Sequence, residues 1–308
     1  MEVLYLLNYA IFAMFICLFL IETGIGALVL FAYNNNRSSI RRYLLPIWGV
    51  DGTFAVFYFV NLIATYPTLG GVVYAYIVPV MLGSLFFLLR NVFVSYSEYI
   101  GDIKYESVCM KIYGVSTIIM SFIVISVFTS GLSGIGISVS QNTITLNMLS
   151  LFFNPFNILV FIALTLIALS IVGSHFKSGL LDKLSYALLP AAFLIALLSV
   201  YLYLPSIFSA VLNNYYLLLI SISIMLITIA LKMRGSKIAR YSALIWIFVS
   251  INFFGIVQYP YLMGGKLQFT NYITNSASTA AIALLTTVCG SFLIIAMAIF
   301  VYVSYFRK

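Results

Sequence analysis

Apolar positions along this chain fall into nine long runs, each long enough for a helix to cross a hydrocarbon layer about 30 Å thick. The runs are Leu6–Phe31, Leu44–Thr65, Val72–Phe93, Ile112–Phe128, Phe156–Val172, Leu184–Leu204, Tyr215–Leu231, Ser242–Val257 and Thr279–Tyr305. Polar residues collect between them in two alternating kinds of loop. The odd-numbered loops carry Arg37, Arg41 and Arg42, then Arg90, Lys104 and Lys111, then Lys177 and Lys183, then Lys232, Arg234, Lys237 and Arg240. With the tail residues Arg307 and Lys308, 14 of the 15 basic residues lie on one side, and Lys266 alone lies on the other. Because loops rich in Lys and Arg stay inside, this predicts odd loops and C-terminus in the cytoplasm and the N-terminus outside. Adding or losing one crossing would scramble the alternation.

The even loops are of another character. Thr129–Asn154 is uncharged and rich in Ser, Gly, Thr and Asn, and Gln258–Ser278 contains Pro260, Gly264 and Gly265. This is turn chemistry suited to an outer face. Tyr96, Tyr99, Tyr215 and Tyr216 at run ends suit an interfacial aromatic belt. The sequon Asn36-Arg37-Ser38 falls on the inner side, where it goes unused.

Composition sharpens the class. Of 308 residues, 64% are hydrophobic and 7% charged, against about a quarter charged in a soluble domain. The reading is one all-α, polytopic transmembrane domain over residues 1–308, in contact with the lipid bilayer. The net charge of +8 is topogenic and implies no nucleic acid. Met1-Glu2-Val3-Leu4 supplies no basic n-region, so the first run reads as a retained helix. Cys17, Cys109 and Cys289 stand far apart without CxxC spacing, which predicts no disulfide framework and no metal site.

Little in the chain carries chemistry. No phosphate-cradling loop is present, and Gly24-Ile25-Gly26 lies inside a span, where small residues allow close helix packing. Gly24 and Gly26, with Ala27, give the first helix a smooth face, partly for the second helix and partly for a partner chain. Trp48 is a further partner-interface candidate. His175 is the only histidine. One histidine cannot build several haem sites, so no haem is expected in this chain. Asn61, Asn252, Thr286, Thr287 and Ser291 are read as polar glue between helices.

Two acids stand out, because a carboxylate in a bilayer costs a few kcal/mol even on lenient scales. Glu22 lies nine residues from Phe31 and Asp51 seven from Leu44. At about 1.5 Å per residue both sit roughly 10–14 Å in from the cytoplasmic side. On sequential antiparallel helices they are expected within about 10 Å of each other, facing protein, able to share or pass a proton. No basic residue lies in a predicted span core, so no buried ion pair within the chain is expected.

Three functions fit this pattern. A proton-coupled secondary transporter would use the two acids as its coupling site, but would ordinarily show an internal repeat and helices broken at midplane. A membrane anchor of another redox complex, binding quinone between helices, is the second. The third follows from the order of the motifs. Glu22-Thr23-Gly24-Ile25-Gly26, Pro46-Ile47-Trp48-Gly49-Val50-Asp51, Ala64-Thr65-Tyr66-Pro67, Ser84-Leu85-Phe86-Phe87 with Arg90, Asn154-Pro155-Phe156, and Tyr259-Pro260 before the polar stretch Asn271–Thr279 occur in sequence. In that order the chain resembles subunit II of cytochrome bd-type quinol oxidases. It departs at Leu18 and Gly49, where the family often has acids.

The resemblance implies nine spans, as two four-helix bundles plus a peripheral helix, in a prokaryotic cell membrane. It implies a non-catalytic subunit, free of haem, beside a haem-bearing subunit I, with Glu22 and Asp51 as proton-path candidates and room for a bound quinone or lipid.

Overall fold

The first polar break, Asn34-Asn35-Asn36-Arg37, bends a helix instead of ending it. In the computed structural model the backbone is helical from Glu2 to Thr65 except at Ala32 (φ −136°) and Asn36 (φ −128°). Asn36 Nδ2 donates to the Ala32 carbonyl at 3.2 Å, satisfying one group that the bend frees. The chain reverses here, so that α1 (Val3–Arg42) and α2 (Ile47–Thr65) form a helical hairpin. Three contacts fix its register. Asn8 Nδ2 donates to Thr65 Oγ1 at 3.0 Å. The rings of Phe15 and Tyr58 lie parallel at 6.0 Å. Glu22 and Asp51 reach one common partner. These residues are seven apart along each helix. A seven-residue step is close to two helical turns, so each set lines one stripe.

The structure describes residues 2–67, 74–99, 102–140, 143–173, 179–236, 238–263, 267–268 and 277–306. After the hairpin come α3 (Ile77–Tyr99) and α4 (Ile103–Ser133). Both extend well past the predicted apolar runs on the basic side. Asp102 caps α4 by accepting the Lys104 N–H at 2.8 Å, and Gly134 ends it at φ +68°, with its N–H on the Ser130 carbonyl. The uncharged stretch that follows is not all loop. Strands β1 (Ile137–Ser140) and β2 (Thr143–Leu146) pair antiparallel, and the short α5 (Met148–Phe152) is capped by Asn147.

The second half holds α6 (Pro155–Gly173), α7 (Gly179–Tyr203), the short α8 (Pro205–Asn213), α9 (Tyr215–Met233) and α10 (Ala239–Gln258). A small hairpin of β3 (Tyr261–Met263) and β4 (Leu267–Gln268) precedes α11 (Ala277–Phe306). Among the described residues eight helices are long and apolar enough to span, and Thr279–Leu293 of α11 is a shorter ninth.

The helices form two groups of four. In one, α1 to α4 pack together; in the other, α6, α7, α9 and α10 do. Between the two lies α1, whose Phe15, Phe19, Leu20, Ile25 and Leu28 share a core with Ile167 and Ile171 of α6 and Trp246 of α10. The ninth helix, α11, lies outside both groups against the hairpin, where Thr287 donates to Asn61 Oδ1 and Asn61 Nδ2 donates to Asn8 Oδ1 at 3.1 Å. Asn61 and Thr287 thus hold helices together, as buried polar groups in a membrane must be paired.

Candidate functional site

Glu22 on α1, Asp51 on α2 and Arg90 on α3 meet in the interior of the first bundle. They are 0%, 1% and 0% exposed, so none of the three charges faces lipid. Arg90 Nη1 lies 2.5 Å from Glu22 Oε2, off the line of its N–H, so this is an ion pair more than a directed hydrogen bond. Arg90 Nη2 donates to Asp51 Oδ2 at 3.4 Å. The guanidinium also rests over the Phe87 ring, 4.7 Å from its centroid. From α4, Tyr113 Oη donates to Glu22 Oε1 at 3.4 Å. One guanidinium holding both acids keeps them within the separation predicted from helix order and depth.

The arrangement also overturns an expectation. An ion pair within the chain does form, because Arg90 belongs to α3 and not to the following loop. Its depth is affordable because two carboxylates and a ring face answer its charge; an unpaired buried ion would cost several kcal/mol. The signal was present in Phe86-Phe87-Leu88-Leu89-Arg90-Asn91-Val92-Phe93, where the arginine has apolar residues on both sides. Lys232 is displaced from its predicted loop for the same reason. It is buried on α9, with Nζ donating to the Ser170 carbonyl at 2.7 Å and Ser170 Oγ at 2.8 Å.

The triad is not fully satisfied. Asp51 Oδ1 and Arg90 Nε have no hydrogen-bond partner among the described residues. A second buried acid shows the contrast. Glu106, 0% exposed on α4, accepts from Tyr33 Oη and from Arg37 Nη2 and Nε, and Arg41 Nη1 lies 3.4 Å away. Arg41 further pairs with Glu98 of α3 at 2.5 Å. Both oxygens of Glu106 are committed, so this cluster is a clamp that fastens the α1 bend to α3 and α4. Sequence reasoning missed Glu106, Tyr33 and Tyr113, since Glu106 fell in a predicted loop and the tyrosines stand at the ends of apolar runs, beside Phe31 and Ile112, where nothing sets them apart.

Gly24 and Gly26 both lie at close approaches between helices of this chain. A Cβ on Gly24 would lie 2.5 Å from the Ala168 carbonyl oxygen of α6, and one on Gly26 would lie 2.8 Å from Thr117 Cβ of α4. The close approach they allow is to helices of the same chain. Trp48 is partly exposed and donates from Nε1 to Asn91 Oδ1 at 2.5 Å, tying α2 to α3. His175 lies outside the described residues. No group of three His, Cys, Asp or Glu suited to a metal occurs among the described residues.

Comparison with known proteins gives the chain a family. The solved structure of bd oxidase from Geobacillus thermodenitrificans is similar in fold, with a TM-score of 0.76, over 99% of this chain and 97% of that one, at 21% sequence identity. No curated protein matches by sequence. The sequence model of cytochrome bd terminal oxidase subunit II matches residues 1–305. The chain belongs to the cytochrome bd terminal oxidase subunit II family.

Proposed function

We propose that this chain is the haem-free membrane subunit that supports a haem-bearing partner in a bd-type quinol oxidase-like complex, and that its triad handles a proton for that partner's reaction site. Family membership supports the first half, together with the single histidine, which falls short of the ligands several haems need. The observation that carries the second half is the asymmetry of two buried carboxylates about one guanidinium.

In this reading one proton completes the charge balance, since two carboxylates face a single cation. Glu22 is the closer to Arg90 and remains its ion-pair partner. Asp51 is the farther, and its Oδ1 is open among the described residues, so the exchangeable proton sits there. When the proton leaves, Arg90 stays in place as counter-ion and limits the cost of the second negative charge. Tyr113 holds Glu22 through its other oxygen, Oε1. Burial of the triad excludes lipid contact and keeps the carboxyls aimed inward.

The test is the complex carrying Asp51→Asn. It should assemble with its haem-bearing partner and keep the haem absorption spectrum, while quinol-dependent turnover falls about a hundredfold or more, the lower end for loss of a positioned proton-transfer group. Full turnover in both Asp51→Asn and Glu22→Gln would show that the triad only holds helices together. Purification of the wild-type chain without any haem protein would remove the subunit reading itself.

A further inference from the structure

We propose that the groove between the α1 bend and the first turns of α4 binds the phosphate of an anionic phospholipid. Two adjoining hollows open there, of about 520 and 220 Å³, and both are lined by Asn34 and Lys111. Lys104 and Lys111 line the larger one. They are seven residues apart on α4 and so share a face. Neither makes an ion pair among the described residues, whereas Arg37, Arg41 and Arg90 each meet a carboxylate. Ser107, between them, donates to Asn34 Oδ1 at 3.1 Å, which leaves the Asn34 amide nitrogen as a donor.

One acid also lines the groove. Asp102 is engaged as the α4 cap, accepting the Lys104 backbone N–H at 2.8 Å, and the two lysines outweigh it. The depth suits a headgroup. Helix α4 has 31 residues, about 46 Å of helix, against a hydrocarbon core of about 30 Å. Its first turns therefore stand in the headgroup layer. Beside the charges are apolar side chains left open: Phe31 is 85% exposed and Val108 51%, ready for acyl chains. A basic pocket between transmembrane helices with an apolar lip selects acidic lipid headgroups. The reading is independent of the proton role of the triad.

Native mass spectrometry of the purified complex, titrated with phosphatidylglycerol or phosphatidylcholine, tests it. Phosphatidylglycerol should bind in preference. The double variant Lys104→Gln/Lys111→Gln should weaken it about thirtyfold, the combined effect of two charges near an anionic surface. Arg42→Gln, an exposed basic residue off the groove, should leave binding unchanged. Equal loss in Arg42→Gln would reduce the effect to general surface charge and overturn the site. Inorganic phosphate binding as tightly as the lipid would show a free-anion site and overturn the lipid. Absence of any preference for phosphatidylglycerol would overturn both.

Discussion

At the residue scale one side chain, Arg90, joins three helices. Its guanidinium answers Glu22 of α1 and Asp51 of α2 from its place on α3, and removing it leaves two buried carboxyls without a counter-charge. Losing one partner of a buried ion pair typically costs about 3–5 kcal/mol. Arg90→Met should therefore lower the thermal midpoint of the detergent-solubilised protein sharply. Adding Glu22→Gln and Asp51→Asn to Arg90→Met should recover most of the loss, because neutral amides need no counter-ion. A melt of Arg90→Met that matches wild type would mean the pair carries no structural load. The two acids are legible in the sequence because a carboxylate within an apolar run is an anomaly that hydropathy exposes. Arg90 is legible less easily. Its run ends a few residues later, and a cation near a run's end reads as loop charge until its partners in space are known. Glu106 hides in the same way, inside the extra turns by which α4 outruns its apolar stretch.

At the element scale α1 is the axis of the fold, and its glycines decide how close its neighbours come. Gly24 abuts the α6 backbone, and Gly26 abuts Thr117 and lies against Gly114 of α4, where a Cβ on Gly114 would be 2.7 Å from the Gly26 carbonyl oxygen. Overpacking such a contact costs about 1–3 kcal/mol. Gly24→Ala should destabilise the chain itself by that amount in a thermal melt. Gly49→Ala, with nothing within 4 Å of its Cβ, should be neutral or stabilising by about 0.5–1 kcal/mol through helix propensity. Similar melts for the two variants would refute the packing role of Gly24. Small residues in a span announce close packing, but a sequence cannot say against which helix, and here the neighbours are internal. The strands β1 and β2 carried a signal that the surrounding composition masked. In Ile137-Ser138-Val139-Ser140 and Thr143-Ile144-Thr145-Leu146 the apolar residues alternate with polar ones, the period of a strand, inside a stretch whose composition suggests turns. The bend at Ala32 and Asn36 was the harder case, since a polar Asn-rich break ends most helices and here only redirects one.

At the scale of the whole molecule, two four-helix groups share α1, and α11 lies outside them against α2. Apolar side chains on α3 and α9 remain largely exposed, among them Met81, Leu85, Leu88, Leu219, Leu226 and Ile227, as faces in contact with lipid or another membrane chain would be. The number of crossings follows from run lengths, and the two-bundle plan is what the family resemblance implies. The orientation in the membrane rests on charge alone, and the fold changes how that charge is counted. Arg90 and Lys232 are buried within helices, so neither belongs to a loop. By sequence order the other loop and tail basic residues remain in the odd-numbered loops and the tail, with Lys266 alone in an even-numbered one. Arg37 and Arg41 are paired with Glu106 and Glu98, yet Arg42, Lys104 and Lys111 make no ion pair among the described residues, so the charge bias between odd and even loops remains. The expected topology is therefore N-terminus outside and C-terminus in the cytoplasm. A reporter that fluoresces only in the cytoplasm should be bright after Lys308. One active only outside should work in the loop around Ser140, between β1 and β2. Introducing Gln for Arg90 should leave both signals in place, because that charge is answered inside the bundle and plays no part in orientation. Reversed signals in the wild-type chain would defeat the orientation, and inversion by Arg90→Gln would show that the buried arginine acts as a topogenic charge before it folds inward.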